Sequence, residues 1–145
     1  MANRDAQLSG LSLFGYSAAL PIVWLFFGGL LSAVLPGKRA GVGGLFFVVL
    51  IVVTFTSWLF VRKHRRHFSN REFWILVGYC SMWAALLESA GILYAISAGL
   101  IQPSQTRMLS FAVLSAFGVD ATFIFLGFRF TGRRFIDYYL AKHPE

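Results

Sequence analysis

Four long stretches with almost no charge dominate this chain of 145 residues. Residues 6–37 and 40–61 carry no charged side chain, while residues 73–106 and 108–128 carry one each, Glu88 and Asp120. Each stretch exceeds the ~20 residues that a helix needs to cross a bilayer. With 57% hydrophobic and 13% charged residues, the chain cannot cover a water-facing surface. We therefore expect an all-α, polytopic membrane protein with a bundle of four transmembrane helices, because backbone groups in lipid must bond within their own segment.

The predicted spans are residues 11–35, 43–62, 70–99 and 108–130, all in one membrane domain covering 1–145. Pro21 is expected to kink the first span, because proline removes a backbone donor. That span is expected to be retained, since its apolar run is too long for a signal peptide. Residues 132–142 are predicted to form a short interfacial helix, because Phe135, Tyr138 and Tyr139 share one face.

Lysine and arginine are distributed unevenly between the two ends of the spans. Ten of the 13 lie near the N-terminus, in the loop after the second span or after the fourth, against three at Lys38, Arg39 and Arg107. The positive-inside rule then places both termini in the cytoplasm. The net charge of +7 requires no nucleic acid, since no soluble segment is long enough to form a basic domain.

The loop between the second and third spans is the most polar segment of the chain. Its cations, with two that follow the fourth span, are expected to face anionic lipid headgroups or an acidic partner. They are Arg62, Lys63, Arg65, Arg66, Arg71, Arg133 and Arg134. Ser69 and Glu72 have the spacing of a capping box, so Glu72 is interpreted as a helix cap rather than a functional acid.

Several familiar membrane chemistries are excluded by the positions of cysteine, histidine and lysine. Cys80 is the sole cysteine, so it cannot form an internal disulfide. His64, His67 and His143 lie outside the predicted spans, which removes haem ligation between helices, and no lysine lies inside a span to form a Schiff base. No catalytic or phosphate-binding motif is present. We expect neither an enzyme nor a bound cofactor or metal.

Small residues recur on the predicted helices at the four-residue spacing that lets backbones approach closely in lipid. The predicted packing residues are Gly28, Gly29, Ser81, Ala85, Ser89, Gly91, Ala112 and Ala116. Glu88 and Asp120 lie on such packed faces, and the second span offers Thr54, Thr56 and Ser57 as polar partners.

The two intramembrane acids are predicted to lie at similar depth in adjacent antiparallel helices. Counting from the shared loop, their positions differ by about 3 Å at the helical rise. If they meet, repulsion and desolvation favour one shared proton. Three interpretations stay open: a structural link between helices, a site for proton or cation transport, and a pair that receives a basic residue from a partner protein.

Residues 60–72, followed by Leu76 and Gly78, are similar to a hairpin junction of the ABZJ-type family, and Gly127, Phe128, Arg129, Gly132 and Arg133 extend the likeness in layout. That family comprises uncharacterised small bacterial membrane proteins with four predicted spans. The resemblance implies a bacterial inner (cytoplasmic) membrane and supplies no activity.

Short loops, small-residue faces and the absence of a catalytic motif favour a non-enzymatic accessory or assembly subunit of a larger membrane complex. Its expected partners are membrane lipids and other membrane subunits or further copies of the chain. The alternative is a proton-coupled small-molecule or ion transporter that uses Glu88 and Asp120.

Overall fold

The computed structural model describes residues 8–34, 41–99 and 106–143, and every regular element within them is helical. The elements are α1 (Gly10–Ser17), α2 (Ala19–Val34), α3 (Gly41–His64), α4 (Asn70–Ser97), α5 (Thr106–Leu126), a π-helical segment (Gly127–Gly132) and α6 (Arg133–Lys142). Four helical stretches are long and apolar enough to cross a membrane: Gly10–Phe27, Phe47–His64, Asn70–Tyr94 and Leu114–Lys142. The predicted all-α fold with four such helices is confirmed.

The first span is interrupted at Ala18, between α1 and α2. Pro21 lacks the backbone N–H that would bond to the carbonyl of Ser17 in a continuous helix. The helix therefore closes with a turn, in which the amide of Ala18 bonds to the carbonyl of Phe14 at 3.1 Å. The kink expected from Pro21 thus takes the form of a break in the helix, about one turn before the proline.

One side of α3 forms the centre of the bundle. Its buried residues repeat in adjacent pairs every four positions, which is the spacing of a single helix face. They are Val48, Val49, Val52, Val53, Thr56, Ser57, Phe60 and Val61. This face contacts α2, the π-helical segment and α6, while α4 packs most extensively against α5 and α1.

The last helical stretch is continuous, because α5, the π-helical segment and α6 follow one another without a break. Residues 133–142 are helical, within one residue of the predicted start, and their position at the membrane interface stays a prediction. Ile136 is completely buried, and α6 packs beside the end of α3. The physical reason is the π-helical segment, whose wider turn keeps the chain helical while it changes the face that meets α3.

The π-helical segment brings Gly127 and Gly132 to the same side of the helix, against α3. Residues five apart point about 140° away from each other in an α-helix, whereas i→i+5 bonding brings them to one side. A Cβ on Gly127 would lie 3.0 Å from Val53, and one on Gly132 would lie 2.9 Å from the Ser57 hydroxyl oxygen. Both glycines thus allow the backbone to lie close against α3.

Candidate functional site

Glu88 of α4 and Asp120 of α5 meet where these two helices pack together. Asp120 is 2% exposed and Glu88 is half-buried. Their carboxyl groups lie within hydrogen-bonding reach of each other. The structure therefore brings together the two acids that sequence analysis could only place at similar depth.

The chemistry of this contact requires a proton. Ionised carboxylates only accept hydrogen bonds, so two of them can bond to each other only when one is protonated. Glu88 Oε2 and Asp120 Oδ2 are both buried and have no hydrogen-bond partner in the described part of the chain. A shared proton satisfies one oxygen of each acid and leaves these two oxygens available to a further donor.

Glu88, and with it the acid pair, lies beyond the middle of α4, nearer its C-terminal end. Glu88 lies eighteen residues after Asn70, the first residue of α4, and nine before Ser97, the last. At ~1.5 Å per residue, the pair is about 27 Å from the start of α4. We call the opposite end of the bundle, which holds Leu8, residues 65–69 and the end of α6, the basic end.

The hydroxyl groups of α3 that were considered as partners for the acids are placed elsewhere. Thr54 Oγ1 donates to the carbonyl of Leu50 at 2.8 Å. Ser57 Oγ lies against Gly132. Thr56 and Ser57 are fully buried, and neither hydroxyl has a hydrogen-bond partner among the residues that the structure describes.

The predicted packing residues separate into inward and outward positions. Ser81 is buried, and Ala85 and Ala116 are partly buried. Ser89 and Gly91 instead face outward, and a Cβ on Gly91 would meet nothing within 4 Å. The side-chain surroundings of Gly28, Gly29 and Ala112 lie outside the described part of the structure.

Glu72 is the most extensively bonded side chain at the basic end. The predicted capping box with Ser69 is present, and α4 begins at Asn70. Glu72 also accepts from Arg66 Nη1 at 2.8 Å and Nη2 at 2.7 Å, and from the backbone amide of Leu8 at 2.9 Å. One carboxylate thus joins the beginning of α1, the loop after α3 and the beginning of α4.

Sequence reasoning identified the cap but missed these two further contacts. Arg66 lies six residues before Glu72, which is within reach across a short loop, but five cations in that loop compete for one acid. Nothing in the sequence pairs Leu8 with Glu72. The structure therefore separates Arg66 from the predicted headgroup-facing cations, because its guanidinium is held by Glu72.

An aromatic cluster packs against the Glu72–Arg66 ion pair. Phe60 is completely buried, its ring centroid lies 4.2 Å from that of Phe68, and the Arg66 guanidinium carbon lies 5.3 Å from the Phe60 centroid. Tyr16 reaches the same region from α1, with its hydroxyl 3.0 Å from His64 Nε2. The basic end is therefore held together by packing as well as by charge.

The other predicted docking cations are exposed: Arg62, Lys63, Arg65, Arg71, Arg133 and Arg134. Arg62 stacks over the ring of Trp58 at 5.1 Å. Asp137 pairs with His67, whose Nε2 lies 3.2 Å from its carboxylate. No group of three potential metal ligands occurs in the described residues 8–34, 41–99 and 106–143.

Taken together, these features define an all-helical protein with four helices suited to cross a membrane, a buried pair of acids between α4 and α5, and a basic end organised around Glu72. Comparisons with protein-family models, curated proteins and solved structures found no significant match. The resemblance to the ABZJ-type family therefore stays a prediction.

Proposed function

We propose that this protein is a multi-pass protein of the bacterial inner membrane, with both termini in the cytoplasm, that acts as a non-enzymatic accessory or assembly subunit. The observation that carries this proposal is the acid pair beside outward-facing small residues. Many large apolar side chains are exposed, among them Leu25, Phe47, Leu93 and Phe111, and lipid is a suitable solvent for them.

The outward surface near the acid pair has the features that helix association in lipid uses. Gly91 lies one turn beyond Glu88 and Gly118 lies two residues before Asp120. Both are exposed, and a Cβ on either would meet nothing within 4 Å. Small residues on an outward face allow a second helix to approach closely in lipid. This combination favours a partner subunit.

Site-specific crosslinking in the native membrane tests the proposal. In a Cys80→Ala background, we expect Gly91→Cys to crosslink to a different membrane protein, which co-purifies in mild detergent. Gly78→Cys is the matched control, because Gly78 is also an exposed glycine of α4 with nothing within 4 Å but lies nearer the basic end. Equal crosslinking at both positions, or purification of this chain alone, would remove the support for an accessory subunit.

A proton-coupled transporter is the second candidate, and the contact between the Glu88 and Asp120 carboxyl groups, which requires a proton, is the observation that favours it. The test is pH-dependent flux of candidate ions in proteoliposomes. Transport through this pair predicts that Glu88→Gln and Asp120→Asn each abolish the flux while the protein remains folded. We rank this candidate second because the pockets near Arg129, Tyr16 and Trp58, in the described part of the chain, are lined by side chains other than these acids.

A further inference from the structure

A pocket of about 300 Å³ opens at the basic end, between residues 67–73 and the last helical stretch. Its polar lining residues are His67, Asn70, Arg129 and Arg133, and its apolar lining includes Phe68, Phe73 and Phe128. We propose that this pocket binds a phosphate group, supplied either by an anionic phospholipid headgroup or by a free phosphate compound. No carboxylate lines it.

Two arginines provide the principal positive charge of the pocket. Arg129 belongs to the π-helical segment and Arg133 begins α6, so they lie four positions apart on one continuous helix. Both are exposed, and neither forms a salt bridge with any residue that the structure describes. The planar guanidinium group presents donors in a fork that matches phosphate oxygens. An anion between the two arginines would also relieve their mutual repulsion.

The nearby acids leave this charge largely uncompensated. Glu72, in the first turn of α4, directs its oxygens to Arg66, Leu8 and Ser69. Asp137, one turn after Arg133, lies 3.2 Å from Nε2 of His67, which lines the pocket. We therefore expect Asp137 to weaken anion binding rather than to prevent it.

The shape of the pocket favours a defined site over general attraction to a charged surface. Gly127 and Gly132 turn toward α3, which leaves Arg129 and Arg133 on the side that lines the pocket. The phenylalanines that line the pocket offer contact to the glycerol or upper acyl region of a lipid. Phe73 and Phe128 are also held by ring contacts, with centroids 5.7 Å from Phe125 and 6.1 Å from Phe68, respectively.

The test measures binding to the full-length protein in a zwitterionic detergent by titration calorimetry. The probes are short-chain phosphatidylglycerol, short-chain phosphatidylcholine and inorganic phosphate. We expect phosphatidylglycerol to bind, and Arg129→Gln and Arg133→Gln each to weaken its binding about tenfold. Arg134→Gln is the matched control, because it removes an exposed arginine adjacent to Arg133 that does not line the pocket. We expect this control to change binding less than twofold, and Asp137→Asn to strengthen it.

The probes also distinguish the two sources of phosphate. Binding of phosphatidylglycerol without inorganic phosphate assigns the pocket to a lipid headgroup, and saturable binding of inorganic phosphate that needs Arg129 assigns it to a soluble phosphate. Both results support the proposal.

An equal loss of binding with Arg134→Gln, an equal affinity for phosphatidylcholine, or no binding of either anionic probe would overturn the proposal. Unfolding temperatures without ligand identify variants with damaged folds, and Arg129→Lys, which retains the charge but not the fork, then replaces Arg129→Gln.

Discussion

Gly132 and Ser57 approach so closely that a Cβ on the glycine would stand 2.9 Å from the serine hydroxyl oxygen. This contact joins the end of the π-helical segment to the buried face of α3. It leaves no room for a larger residue, and it explains how α6 can lie against α3 although α5 itself makes few contacts with that helix.

We expect Gly132→Val to destabilise the protein by about 1–3 kcal/mol, the usual cost of adding atoms to a filled interior. Gly118→Val is the matched control, because it also places a β-branched residue in the last span but meets nothing within 4 Å. The measurement is reversible unfolding in mixed detergent micelles. Adding Ser57→Ala to Gly132→Val should recover part of the loss, and equal effects of the two valine substitutions would contradict this interpretation.

The Glu72–Arg66 pair predicts a large effect when only one partner is removed. Glu72 is 1% exposed and Arg66 is 24% exposed. Removing one member of a buried pair typically costs about 3–5 kcal/mol. We expect Arg66→Gln to lie near the lower limit, because backbone amides still bond to Glu72 and Arg66 is partly exposed.

The control for that pair is Asp137→Asn, which breaks an exposed contact whose side chains are 47% and 58% exposed. Exposed pairs contribute at most ~1 kcal/mol. Unfolding free energies of the two variants should therefore differ clearly. If Arg66→Gln were as mild as Asp137→Asn, Glu72 would not be the organising residue of the basic end.

The acid pair predicts that Glu88→Gln is tolerated better than Glu88→Leu. A glutamine amide can donate to Asp120 and replace the proton of the original contact. Leucine leaves the buried Asp120 without that partner, which costs about 1–3 kcal/mol. Ser89→Leu is the control for added bulk, since Ser89 is exposed beside Glu88. Unfolding measurements of all three variants decide the matter, and equal stability of the two Glu88 variants would mean that the contact contributes nothing.

Arg65 offers a stabilising substitution. It follows α3 with a φ of 49°, a left-handed conformation that costs a non-glycine residue about 1–2 kcal/mol. Its amide closes the helix by bonding to the carbonyl of Val61 at 2.9 Å. We expect Arg65→Gly to keep this closure and raise stability by up to about 1 kcal/mol, partly offset by the greater freedom of glycine when unfolded. Arg65→Val, which resists this conformation, should destabilise the protein, and the reverse order would refute the assignment.

The sequence predicts the spans because hydrophobic length is a local property, and it predicts the start of α4 because Ser69 and Glu72 lie within one turn. It does not predict the π-helical segment. The residues around Gly127 and Gly132 in the sequence do not distinguish them from other small residues. Their role depends on the close approach of α3, which only the structure shows. The bonds from Leu8 and Arg66 to Glu72 are missed for the same reason, since they depend on how separate helices are arranged.

The sequence predicts the arrangement of Glu88 and Asp120 only in part. Their occurrence in apolar stretches and their similar depth can be read from residue counts, because both follow from the helical rise. Their contact depends on the rotation of α4 against α5, which the small-residue pattern defines only partly. Ser89 and Gly91 illustrate this limit, since their spacing suggests packing while the structure turns them outward.

The bond from the Leu8 amide to Glu72 also has a consequence for the order in which the chain assembles. Leu8 precedes the first span, and Glu72 lies at the start of the third. During synthesis, the N-terminal span emerges more than sixty residues before its fastening point exists. Tyr16 and His64 can join the first two spans before α4 exists, whereas the Leu8 amide finds its acceptor only when Glu72 has been made.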